Sequence, residues 1–215
     1  MRSFLGFSSF LIIFFFSGCS VLTPVRVIEK DHSQLNLSIG GPFVPSSTKT
    51  AIVPYTTFGY AYGLKEDLTF SGNVHLLSAI FKTPGIDIGL VYQVVKEDAY
   101  IPELSIYPKL YFFKSLRKDG GFRMFPSLAL NVSYTIWKHH LIYLGTDYLF
   151  QLTQGDYFVT PFLGYQFPVS HRIKLQTELK WMASNADSRH GVFEGESSIS
   201  GHGTVGIFVG VNYGL

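Results

Sequence analysis

Residues 204–215 read Thr204-Val205-Gly206-Ile207-Phe208-Val209-Gly210-Val211-Asn212-Tyr213-Gly214-Leu215. One phase of this stretch is Val205, Ile207, Val209, Val211, Tyr213 and Leu215; the other is Thr204, Gly206, Phe208, Gly210 and Asn212. Period-2 alternation of this kind is the pattern of a β-strand with two different faces. Working back along the chain, the same alternation recurs in segments separated by turn-rich breaks. The segments are 34–41, 52–64, 68–80, 86–95, 102–113, 124–137, 141–152, 157–167, 173–182 and 203–215. No stretch carries a sustained i, i+3, i+4, i+7 apolar stripe, so the body of the chain, residues 34–215, reads as all-β.

An all-β chain can face water or lipid, and the polar phase separates the two. From the second segment onward the apolar phase holds no Asp, Glu, Lys or Arg. The opposite phase is small, amide-bearing or aromatic, with only seven charges: Asp87, Glu103, Lys109, Asp147, Lys174, Glu178 and Lys180. A solvated sandwich face would carry far more Lys and Glu. A charge on a lipid face costs about 2–4 kcal/mol at mid-membrane, which accounts for the empty column. The pattern predicts an antiparallel up-and-down transmembrane β-barrel of about ten strands, with eight and twelve as the neighbouring alternatives. Lipid-phase aromatics near strand ends (Tyr62, Tyr92, Tyr148, Tyr157, Tyr165, Trp181, Tyr213) fit interfacial girdles. The connections alternate between short turns (Lys65-Glu66-Asp67, Lys138-His139-His140, Pro168 to Arg172) and an opposite set that includes the long Ala183 to His202. That asymmetry predicts short periplasmic turns and longer outer loops.

Composition agrees. The chain has 215 residues, 15% charged and 16% aromatic, and a formal net charge of +2. No strong field recruits nucleic acid, and the low charge excludes a disordered tail or a coiled coil. A single cysteine, Cys19, excludes an intramolecular disulfide and a Cys-rich zinc site.

The N-terminus has its own pattern. Arg2 precedes an apolar run ending Leu11-Ile12-Ile13-Phe14-Phe15-Phe16, followed by Ser17-Gly18-Cys19. A basic start, a short apolar core and small residues before a break are the marks of a secretory signal peptide, too short to span a bilayer as a helix. Phe16-Ser17-Gly18-Cys19 resembles the bacterial lipobox. The resemblance implies removal of residues 1–18 and attachment of diacylglycerol to Cys19, with palmitate among the acyl chains. Ser20 follows, without the Asp of an inner-membrane retention signal, and residues 19–33 read as a lipidated tether. Gly210-Val211-Asn212-Tyr213-Gly214-Leu215 resembles the C-terminal signal of outer-membrane β-barrels, with Gly210, Tyr213 and Leu215 at the family's spacing. This implies folding by the outer-membrane assembly machinery, a location in the outer membrane of a diderm bacterium, and a lipid anchor on the periplasmic side.

Catalytic chemistry has a weaker footing. Trp181-Met182-Ala183-Ser184-Asn185-Ala186 faintly resembles the His-x-Ser-Asn motif of the outer-membrane lipid A deacylase family, with Glu194 or Glu196 following. Met182 stands where that family has its His, and a thioether accepts no proton; His190 lies in the same loop. No catalytic residue, metal site or cofactor is expected. His139-His140 and the loop group Asp187, His190, Glu194, Glu196 and His202 match no metal-ligand spacing. The lumen aromatics Tyr107, Tyr111, Tyr143, Phe158, Phe162 and Phe208 predict a plug of side chains, with the seven charges paired among them. The leading expectation is a non-enzymatic structural or accessory lipoprotein barrel meeting other envelope proteins. The alternatives are a narrow channel or small-ligand-binding barrel and, disfavoured, a lipid A deacylase-like enzyme.

Overall fold

The computed structural model describes residues 22–45, 50–52, 54–117, 121–137, 139–152, 155–187 and 198–215. Its strands are β1 (Ser33–Pro45), β2 (Thr50–Ile52), β3 (Tyr55–Lys65), β4 (Leu68–His75), β5 (Gly85–Val95), β6 (Glu103–Lys114), β7 (Phe122–Ile136), β8 (His140–Gln151), β9 (Asp156–Pro168), β10 (Ile173–Asp187) and β11 (His202–Gly214). Each long strand pairs antiparallel with its neighbour in sequence. The last pairs with the first, from Gln34 opposite Gly214 to Pro42 opposite Gly206. β2 only extends β1 at one end, through Phe43 opposite Ile52. The result is a closed ten-strand antiparallel transmembrane β-barrel. Closure leaves no unpaired edge, which a lipid-exposed sheet requires.

Both ends of the barrel wall, Ser33 and Leu215, lie at one rim, where the Leu215 amide donates to the Ser33 carbonyl at 2.9 Å. The short turns share this rim, called here the turn end; the opposite rim is the loop end. The alternation reads out as expected. Leu37, Ile39, Leu144, Leu163 and Leu179 point outward and are about half exposed, while their sequence neighbours are mostly buried in the lumen. Small residues on the lumen phase make room for large ones opposite: a Cβ on Gly164 would stand 2.1 Å from the Tyr143 ring.

Two stretches differ from the sequence reading. The segment expected as strand over 68–80 stops at His75, and Leu76–Ile80 form a short helix at the loop end. Leu76, Leu77 and Ile80 gave an apolar run too short to distinguish the two states by periodicity. Further along, β10 continues past Met182 to Asp187, with a register shift against β11 after Met182 and Ala183 at φ +50°.

Residues 22–28 of the stretch expected as a tether are packed inside the barrel. Asp31, at φ +63°, reverses the chain at the turn end. Its amide donates to Gly63 O at 3.0 Å, and the Gly63 amide donates to His32 O at 3.0 Å. Residues before it run back up the lumen, so that Thr23 and Val25 are buried. Two glycines admit them. A Cβ at Gly63 would stand 2.2 Å from Glu29 O, and one at Gly210 would stand 2.1 Å from the Leu22 side chain.

Because the outward phase is bounded by lipid, Leu144→Lys is expected to destabilise the barrel by about 2–4 kcal/mol, while Leu144→Phe stays near neutral. Denaturant midpoints of the heat-modifiable band in lipid bilayers measure this; an unchanged midpoint for the lysine variant would put Leu144 in water.

Candidate functional site: a self-occupied lumen

Charges inside a narrow barrel have no bulk water to solvate them, so each must find its partner in the lumen. They do so in stacked layers. Near the loop end, Asp87 accepts a 2.7 Å hydrogen bond from Asn73 Nδ2, and its second oxygen lies 2.9 Å from His75 Nε2. The His75 ring packs against Tyr111 and Phe113. Beside this layer, Lys109 Nζ donates to Asp147 Oδ2 at 2.7 Å and to Tyr111 Oη at 3.0 Å. It stands 5.0 and 5.2 Å from the ring centres of Tyr107 and Tyr111, within cation–π range. Ser127 donates to the other oxygen of Asp147. In the middle, Lys180 Nζ lies 2.9 Å from Glu178 Oε2, between the rings of Phe162 and Phe208. Tyr143 donates to Glu178 Oε1 at 2.8 Å.

Below these layers, in the half nearer the turn end, the N-terminal segment takes over. It lies extended, and side chains of the wall bind its main chain. The Thr23 amide donates to Glu178 Oε1 at 3.0 Å, and Gln176 Nε2 donates to Thr23 O at 2.9 Å. Pro24 has no amide to satisfy, and its carbonyl accepts from Asn131 Nδ2 at 3.3 Å. Ser105 Oγ donates to Val25 O at 3.0 Å, and the Ile28 amide donates to Thr69 Oγ1 at 2.7 Å. Val25 fills a pocket of Leu141, Tyr143 and Phe162, and Val27 packs on Val91, Tyr107 and Ala129.

Arg26 is the charged hold of the segment. Its guanidinium donates to Ser133 Oγ and Thr135 Oγ1, both at 2.9 Å. It pairs with Glu97 and lies 3.5 Å from Glu103 Oε2. Glu97 also accepts from the Thr135 amide at 3.1 Å and from Thr135 Oγ1 at 2.9 Å. Partial burial pushes the Glu97 carboxyl up, but the Thr135 hydrogen bonds and Arg26 outweigh it and hold the group below its ordinary range. Between the segment and the walls of β1, β3, β10 and β11 remains a cavity of about 380 Å³, lined among others by Asn36, Ser38, Thr57, Gln176, Asn212 and Lys174.

The structure thus brings six of the seven lumen-phase charges to internal partners: Asp87, Glu103, Lys109, Asp147, Glu178 and Lys180. Lys174 stands apart, exposed near the turn end. Of the lumen aromatics, Tyr107, Tyr111, Tyr143, Phe162 and Phe208 are buried, and Phe158 is half-buried. Gly210 faces the lumen against Leu22, Tyr213 lies on the lipid face opposite Leu35 and Ile173, and Leu215 ends the chain exposed. Ser184 Oγ donates to Val159 O at 2.9 Å, and Met182 is buried in the lumen. Cys19, His190, Glu194 and Glu196 lie outside the described residues. Among the described residues no group of three or more His, Cys, Asp or Glu is placed to hold a metal ion.

Sequence reasoning missed Arg26, Glu97, His75 and the whole inserted segment. A signal existed for the last: the alternate positions Thr23, Val25 and Val27 are β-branched, a strand pattern too short to register beside the long segments.

No family model and no curated protein matches the chain. The chain is similar to several solved outer-membrane barrels. The KdgM porin is 12% identical over 84% of this chain and 98% of its own, with a TM-score of 0.47. The NanC porin is also 12% identical, over 84% and 100%, with a TM-score of 0.48. The translocator domain of the autotransporter NalP from Neisseria meningitidis is 10% identical over 99% and 95%, with a TM-score of 0.41. These likenesses concern the fold alone and carry no argument about the lumen.

Lys109→Met leaves the Asp147 carboxylate buried without its counter-charge and is expected to cost about 3–5 kcal/mol; adding Asp147→Asn recovers part of that, as denaturant midpoints in bilayers will show. The Arg26 clasp has a pH signature. Because the Glu97 carboxyl is held low in the folded protein, its contribution is full above the ordinary carboxylate value and is lost as pH falls below it. The Thr135 amide NMR shift should therefore move only in the acid range, and Glu97→Gln should remove that step.

Proposed function

We propose that this protein is an outer-membrane lipoprotein whose barrel acts as a non-enzymatic accessory or structural subunit of the cell envelope, anchored by diacylglycerol on Cys19 on the periplasmic side. The observation that carries this reading is the lumen: Lys109–Asp147, Lys180–Glu178 and the rings of Tyr107, Tyr111, Tyr143, Phe162 and Phe208 fill its middle. A barrel packed in this way offers a stable body in the membrane and no open path across it. Its contributions to a complex are then its lipid-facing wall, its loops and its periplasmic mouth. The turn end, with its short connections and both ends of the wall, is the periplasmic side on this reading. A lipid A deacylase reading lacks support at Ser184, whose hydroxyl donates to the Val159 main-chain carbonyl, and at Met182, whose thioether accepts no proton. The cavity of about 380 Å³ near the turn end favours, as a second reading, a barrel that holds a small polar ligand.

Two measurements test the reading together. Cells labelled with radioactive palmitate should yield a labelled, heat-modifiable protein, with label lost and precursor accumulating under globomycin. The purified protein in planar bilayers should pass no current above leak. An unlabelled protein would remove the anchor from the account, and steady single-channel conductance would replace the accessory reading with a channel.

A further inference from the structure

The seated segment places its own limit on where Cys19 can be. Leu22 touches Gly210, which pairs with Ser38 and Gln176, five residues up the wall from the C-terminal Leu215. At strand rise and barrel tilt, that is about 13 Å above the turn-end rim. Three peptide steps separate Leu22 from Cys19, a reach of about 11 Å fully extended. A diacylglycerol on Cys19 has to lie in the lipid outside the wall. The chain would need to descend the whole depth, round the rim and re-enter the leaflet, which is well beyond that reach. A lipid anchor at Cys19 and the seated segment exclude one another.

What the segment leaves behind is a built site. Its wall offers donors and an acceptor for an extended main chain: Gln176, Asn131 and Ser105 give hydrogen bonds, and Glu178 receives one. It offers an apolar pocket at Leu141, Tyr143 and Phe162. One residue further along it offers an acidic pocket for a cation, where Glu97 and Glu103 converge beside Ser133 and Thr135. With Arg26 withdrawn, Glu97 and Glu103 lose its positive charge, and with only Lys96 left near Glu103 the pocket is net negative. The bound segment is the chain's own stand-in for a ligand, and it shows the ligand's chemistry.

We propose that the periplasmic half of the lumen is a receptor for an extended peptide of a partner protein, with a β-branched apolar residue followed by arginine, and that lipidation of Cys19 opens it by withdrawing residues 22–28. This deepens the accessory-subunit reading and rests on the lipid anchor proposed there. The ion-pair layers above stay in place, so the barrel remains closed to solutes while its mouth is free to bind.

Cys19 is the only native cysteine, and lipidation blocks its thiol. Thr23→Cys therefore carries the sole reactive thiol, both in the lipidated protein and in the same chain exported behind an ordinary cleavable signal with Cys19→Ser. A polyethylene-glycol maleimide should label the lipidated form at least ten times faster than the unlipidated one, in which position 23 is buried; His32→Cys should react in both. A fluorescent peptide of the sequence LTPVRVIE should bind the lipidated full-length barrel, bind the unlipidated barrel at least ten times more weakly, and lose binding when its arginine is replaced by glutamate. A lipidated protein with position 23 still protected overturns the proposal, as does a reactive position 23 with no binding of the peptide. Absence of palmitate label overturns the anchor itself, and is distinguished from those failures by the labelling alone.

Discussion

A ring of strands in lipid has no water to fall back on, inside or out, and the rest of this structure follows from that constraint. The outer surface answers by exclusion: among the described residues, the lipid phase carries no charge away from the strand ends. The inner surface answers by pairing. Lys109 with Asp147 and Lys180 with Glu178 are buried, and each pair has further partners, Tyr111 and Ser127 for the first, Tyr143 and Gln176 for the second. Such pairs cost desolvation, and they are tolerated because the surrounding hydrogen bonds leave little of either charge unmatched. The aromatic rings beside the ammonium groups add cation–π contacts and displace the water a wider pore would hold.

The same constraint explains the inserted segment. A barrel whose lumen phase is rich in Gly, Ala, Ser and Thr leaves space in its turn-end half, and an extended chain can fill it if its amides and carbonyls are met. Gln176, Glu178, Asn131, Ser105 and Thr69 meet them. Gly63 and Gly210 provide the clearance, and Arg26 ties the segment to the two carboxylates at the mouth. Sequence-distant residues thus form one unit. Glu178 serves the Lys180 ion pair, the Tyr143 hydroxyl and the Thr23 amide at once, so the segment and the closed layers above it share a residue.

Strand placement and facing were legible in the sequence because period-2 alternation over eight or more residues states both. The exceptions are instructive. Leu76 to Ile80 read as strand because Leu76, Leu77 and Ile80 continue an apolar run, and the chain's turn over the loop-end rim makes them a helix. The charges of the lumen were legible from their phase, but their polar partners were not. Asn73, His75, Ser127 and Gln176 look like ordinary polar residues until the barrel closes and sets β4 against β5 and β7 against β8. The N-terminal segment was least legible of all. Its binding partners lie on β4, β6, β7 and β10, and no local pattern encodes a site assembled from four strands.

The central claim is that the lumen of this barrel is closed by dry, paired charges. Solid-state NMR of the protein in lipid bilayers tests it directly, through dipolar dephasing between ¹⁵N at Lys109 Nζ and ¹³C at the Asp147 carboxyl. With Nζ 2.7 Å from Oδ2, strong dephasing is predicted, together with lysine and carboxyl signals free of exchange with bulk water. Absence of dephasing, with both groups hydrated, would mean an open, water-filled lumen and would contradict the account.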